Sequence, residues 1–128
     1  MSFTTNWEPE GVYRRFTEKV SGIEILKSNL QLHKNPKFLK MKYVINDFTG
    51  LTEHSILPTH IKVYVDTDDI ISSSRIPFTT DKLKIGLVVH QEPFITMENS
   101  YRDQMIGKLF ECEIFETLDD ARNWVNTN

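Results

Sequence analysis

The sequence predicts an α/β fold, a mixed and mostly parallel five-stranded sheet with an N-terminal antiparallel hairpin strand and about four helices. Three observations carry that prediction. Two short apolar runs, Tyr43-Val44-Ile45 and Leu83 to Val89, lack polar alternation, as strands covered on both faces require. Helix-start patterns stand before and after them, Ser21-Gly22-Ile23-Glu24 and Thr117-Leu118-Asp119-Asp120. The N-terminal segment instead alternates about Glu8-Pro9-Glu10-Gly11, a β-turn sequence.

Phe3, Thr5 and Trp7 form the first hairpin strand, which should be an edge, and Val12 to Thr17 form the second. A helix then begins at Ser21, where a Ser and a Glu three residues on satisfy helix-start donors reciprocally. Ile23, Leu26 and Leu30 are its expected inner face, and Pro36 ends it because the residue before proline avoids the α region. Met41 to Gly50 is read as the central strand, with Asn46 and Asp47 at its carboxyl end, where a parallel sheet opens its ligand crevice. Thr52 or Ser55 is expected to cap a helix that carries Pro58 in its first turn and runs towards Arg75. Ile61 to Val65 also fits strand alternation, but joining two parallel strands requires a long crossover, which favours helix. Leu83 to Val89 makes the next strand, with Gly86 marking a close helix or backbone approach. Thr96 opens a helix with Met97, Tyr101, Met105 and Leu109 on one face. A short strand begins at Cys112, and Thr117 caps a closing helix with Leu118, Ala121, Trp124 and Val125 inward.

Residues 1–128 suit one domain, long enough to bury a real core. There is no repeat or linker. With 15 Lys and Arg against 18 Asp and Glu the net charge is −3, too balanced for a phosphate-tracking surface, so nucleic acid is not an expected partner. The single cysteine, Cys112, cannot form an internal disulfide, which suits a reducing compartment. No apolar run reaches membrane-spanning length and the N-terminus lacks signal-peptide regions, so the expected location is cytoplasmic. His54, His60 and His90 with Asp47 show no helix-turn spacing for a metal, and no cofactor motif is present.

These elements resemble the SpoIIAA-like domains, related to STAS domains and, in fold, to the Sec14 or CRAL-TRIO proteins. The resemblance spans nearly the whole chain. It rests on Gly11-Val12, Ser21-Gly22, Tyr43 to Phe48, Lys84 to Val89, and Phe115 to Trp124. It implies a small binding module that docks a protein, as STAS proteins do, or holds an apolar ligand, as Sec14-like proteins do. STAS anti-sigma-factor antagonists carry a phosphorylated Ser after an Asp, closely followed by Gly, behind the central strand. Here Thr52-Glu53-His54-Ser55-Ile56 occupies that neighbourhood, so the resemblance makes Ser55 the candidate phosphosite, without the flanking Asp and Gly. As a helix cap Ser55 has the stronger claim.

The expected function is therefore non-catalytic docking of a protein partner through the turn after the central strand. Its candidate residues are Asp47, Phe48, Thr52, Glu53, His54, Ser55, Leu57, His90 and Phe94. The alternative is a carrier of a small apolar or amphipathic ligand near Phe48, Leu57 and Phe94, since Phe48, Leu51, Ile56, Leu57, Phe94, Ile95 and Met97 cluster near the strand ends. Enzymatic acid/base chemistry by Asp47 and His90 ranks lowest, because no nucleophile, oxyanion donor or orienting third group accompanies them. The hairpin edge, with Phe3, Trp7 and Tyr13, offers a surface for pairing with a second copy.

Overall fold

The structure, a computed structural model, describes residues 3–79, 81–89 and 94–127, without the side chains of residues 94, 95, 97 and 98. Its elements are β1 (Phe3–Trp7), β2 (Gly11–Ser21), α1 (Gly22–Lys34), β3 (Tyr43–Ser55), α2 (Pro58–Ser72), β4 (Leu83–Val88), α3 (Phe94–Gln104), β5 (Phe110–Phe115) and α4 (Leu118–Val125). The five strands lie in chain order, β1-β2-β3-β4-β5. β1 runs antiparallel to β2, and every later pairing is parallel. The expected fold class is the observed one.

Helices α1, α2 and α3 cover one face of the sheet and α4 the other. Strand alternation divides the side chains between them. Val12, Phe16, Val44, Phe48, Ile85 and Leu87 join Ile25, Leu32, Ile61 and Val65 in the larger core. Tyr43, Ile45 and Val88 pack with Ala121 and Val125 in the smaller one. A Cβ on Gly86 would stand 3.6 Å from the Ala121 Cβ, so α4 does approach β4 closely at that glycine.

Local chemistry sets the element ends. The Ser21 hydroxyl accepts from the Glu24 N–H at 3.1 Å, and the Glu24 carboxylate accepts from the Ser21 N–H at 3.1 Å, the reciprocal cap expected there. The Thr117 hydroxyl likewise accepts from the Asp120 N–H at 3.2 Å. Ser72, Ser73 and Ser74 donate back to carbonyls three or four residues earlier, and α2 gives way to a 3-10 turn at Ser73–Arg75.

Several boundaries depart from expectation. The central strand does not stop near Asp47; β3 continues to Ser55, because β2 is equally long and pairs with it as far as Ser21 opposite Ser55. Two register shifts interrupt this pairing, between Arg15 and Thr17 and between Glu18 and Lys19, and Glu18 takes a left-handed conformation with φ 61°. Neither Thr52 nor Ser55 caps α2. That position belongs to Leu57, and the His60 Nδ1 accepts from the Leu57 N–H at 2.9 Å.

On α1 the buried face is Ile25, Ser28, Asn29 and Leu32, while Ile23 and Leu30 are exposed. Leu26, the third residue of the expected face, is half-buried and packs against the larger core, so apolar spacing found only one border of an inner face that also carries polar side chains. α3 starts at Phe94 rather than Thr96 and ends at Gln104, leaving Met105 buried but Leu109 beyond the helix and exposed. Cys112 is buried inside β5 rather than at its start.

Candidate functional site

The expected site residues do not form one site. Asn46, Asp47 and Phe48 lie within β3, so consecutive side chains turn to opposite faces. Asp47 is buried on the α4 side, where it accepts from the Tyr13 hydroxyl at 2.6 Å and from the Thr49 N–H and hydroxyl at 2.9 and 2.7 Å. Tyr13 is pushed up to about 12 by burial and by this carboxylate, so it stays a donor at neutral pH. Phe48 is core: its ring stacks on Phe16 with centroids 4.9 Å apart. Leu51 and Ile56 are also buried, whereas Leu57 is 56% exposed. The imagined apolar cluster at the strand ends is thus divided between core and surface. His90 lies outside the described residues, and Phe94 opens α3 with its side chain outside them, as are those of Ile95 and Met97.

Thr52, Glu53, His54 and Ser55 belong to the β3 extension. β4 pairs with β3 only from Tyr43 to Asp47, so beyond that point β3 has a strand partner on the β2 side alone, among the described residues. Thr52 is the extra residue of the second register shift, and its hydroxyl donates to the Glu18 carbonyl at 3.0 Å. Glu53 pairs with Lys19, both exposed. The His54 Nδ1 accepts from the Ile56 N–H at 3.1 Å, and burial lowers the His54 pKa. Ser55 is exposed, opposite the Ser21 cap of α1. The turn expected after Asp47 is therefore a continuation of the strand, paired among the described residues with β2 alone.

A second location emerges inside the molecule, between the sheet and α1 to α3. A cavity of about 50 Å³ there has mostly apolar walls, including Phe16, Val44 and Phe48, and one polar side. That side is built on Arg14, which points from β2 into the larger core and is 3% exposed. Its Nε donates to the Asn46 side-chain oxygen at 2.9 Å, Nη1 to the Ser28 hydroxyl at 3.1 Å and Nη2 to the Asn29 side-chain oxygen at 2.8 Å. All three acceptors are neutral. Burial lowers Arg14 to about 10, still protonated at neutral pH. Asp68 on α2, which also lines the cavity, acts on Arg14 across space without an ion-pair contact.

Both Asp68 oxygens have other partners. One faces the His33 Nε2 at 3.1 Å, and the other accepts from the Tyr101 hydroxyl at 2.5 Å. The His33 side chain is 7% exposed, and its Nδ1 has no hydrogen-bond partner among the described residues. Asn29 and His33 lie one turn apart on α1, which brings both to the cavity wall. Sequence reading missed this group. Its only sequence signal was the polar pair Ser28-Asn29 interrupting an otherwise helical apolar pattern.

The cavity is far below the roughly 300–1,000 Å³ that encloses a drug-sized ligand. A second depression of about 310 Å³ at the β5 edge, bordered by Lys82, Arg102, Glu111 and Glu113, is open to solvent. Neither is an enclosed apolar chamber for a lipid, so the Sec14-like likeness finds no support. Among the described residues no three His, Cys, Asp or Glu side chains gather as metal ligands, and no helix is long and apolar enough to cross a membrane.

By sequence the chain matches no family model and no curated protein. By structure it is similar to an uncharacterized protein of the DUF3478 family from Shewanella loihica PV-4, whose crystal structure is described as having a SpoIIAA-like fold. The two are 15% identical with a TM-score of 0.53, and the match covers 96% of this chain and 91% of that one.

Proposed function

We propose, from the premise that this fold is SpoIIAA-like, that residues 1–128 are a single non-catalytic, cytoplasmic STAS-like module that docks a protein partner through the β3 extension. The observation that carries the reading is the stretch of β3 from Phe48 to Ser55, past its last pairing with β4, which among the described residues has a strand on its β2 side alone. An open edge offers backbone N–H and C=O groups to an added strand, and the exposed side chains of Thr52, Glu53, Ser55 and Leu57 would select it. The occupant we propose is an extended segment of a different protein.

A pull-down with the intact chain tests this. Thr52→Pro removes a backbone donor at an edge position where proline leaves a sheet intact. A partner retained by wild type and by Thr52→Ala should be lost by Thr52→Pro with the far-UV circular dichroism unchanged. Equal capture by all three would refute edge docking. Ser55 is proposed as the phosphosite on its exposure and its position opposite Ser21, beside the positive end of α1.

A further inference from the structure

We propose that the cavity beside Arg14 is a binding site for a small planar oxyanion, a carboxylate the size of formate or acetate. The site is separate from the β3 edge, and its argument does not depend on docking there.

Volume fixes the size. On the measure that gives about 50 Å³ here, one water takes roughly 10–15 Å³, so the cavity admits about three or four heavy atoms. That excludes nucleotides, sugars and acyl chains. Charge fixes the sign. Arg14 is a fully buried cation whose three hydrogen bonds go to the neutral oxygens of Asn46, Ser28 and Asn29. A guanidinium has five N–H donors, so two remain for a ligand. Asp68 does not supply the missing counter-charge by contact, because His33 and Tyr101 occupy its two oxygens. A small anion would, and the planar fork of arginine matches a planar carboxylate better than a spherical ion.

His33 provides an independent pointer. Its Nε2 faces Asp68 at 3.1 Å, and Nδ1 is a buried polar atom on the cavity wall without a hydrogen-bond partner among the described residues. Buried polar atoms in folded proteins are otherwise satisfied. An imidazole nitrogen is a strong hydrogen-bonding group, so Nδ1 stands ready for a polar atom of a ligand. The apolar walls from Phe16, Val44 and Phe48 lower the local polarity and strengthen both contacts.

Nuclear magnetic resonance on the intact, ¹⁵N-labelled chain decides the matter. Sodium formate, sodium acetate and neutral acetamide are titrated separately, with ionic strength held constant by sodium chloride. The Arg14, Asn29 and His33 signals should shift to saturation with at least one carboxylate and stay still with acetamide. Arg14→Gln should weaken that binding about tenfold or more, and Arg15→Gln, on the opposite sheet face, should leave it intact. Acetamide shifting the same signals as acetate would overturn the anionic character of the site, and no saturable shift with either carboxylate would overturn the site itself. If Arg14→Gln does not fold, the comparison of acetate with acetamide on the wild-type chain still decides.

Discussion

Glu8, at the hairpin turn, ties the start of the chain to its last helix. Its carboxylate accepts two hydrogen bonds from the Arg122 guanidinium, at 2.9 and 2.8 Å, and one from the Tyr43 hydroxyl. The Arg122 hydrogen bond holds Glu8 below its ordinary value of 4.5, against the upward push of burial. In the folded chain Glu8 therefore gives up its proton more readily than in the unfolded one. The stabilisation is complete above about pH 4.5 and is lost as pH falls through the lower folded value. Glu8→Gln should cost about 1–2 kcal/mol at pH 7, after allowance for partial exposure, and flatten the acid limb of stability. Urea unfolding at pH 7 and pH 3 measures both; an unchanged pH profile would contradict this role. Neither this pair nor Arg14 was legible in the chain. An Arg in the second hairpin strand reads as a solvent-facing residue, and residues 8 and 122 lie at opposite ends of the sequence. What was legible at this scale was local: the Ser21 and Thr117 caps need only a hydroxyl at the right spacing.

Elements were legible where hydropathy and helix signals agreed. β4 and α4 lie where their apolar periods place them, α2 is the helix that a parallel crossover required despite the strand-like alternation of Ile61 to Val65, and Pro36 closes α1 at Lys34 as expected. The inner face of α1 was only partly legible, through Leu26, because Ser28 and Asn29 serve a buried guanidinium and the usual rule that polar residues face water inverts there. The length of β3 was hidden for a different reason. Thr52-Glu53-His54-Ser55 has no strand preference strong enough to announce itself, and it is extended because β2 lies alongside. The residue in the α2 cap position, Leu57, has no side-chain acceptor and is mostly exposed. Leu57→Asp supplies that acceptor with little apolar surface lost. It should raise stability by about 0.5–2 kcal/mol, read as a higher urea midpoint at unchanged slope. A lower midpoint would show that Leu57 packs more than its exposure indicates.

At the scale of the molecule, one helix closes the smaller of the two cores. α4 buries Ala121 and Val125 against Tyr43, Ile45 and Val88, and the Lys84 ammonium donates to the Trp124 and Thr127 carbonyls at 3.1 and 2.7 Å, satisfying the helix end. Removing residues 117–128 would bare that core. The truncated chain should run as an aggregate in size-exclusion chromatography and bind a hydrophobic dye. A monodisperse truncated monomer would place the stability of the fold in the three-helix layer alone. The fold class was legible because alternating strand and helix signals admit few architectures. The strand order was not, since neighbours in a sheet are chosen by pairing across space.

That order has a consequence for how the chain is made. Each strand pairs with the one synthesised immediately before it, and none has to enter between two strands already joined. A nascent chain can therefore add strands one at a time as it leaves the ribosome, always at the growing margin. The smaller sheet face stays uncovered until α4, which comes last, emerges to close it.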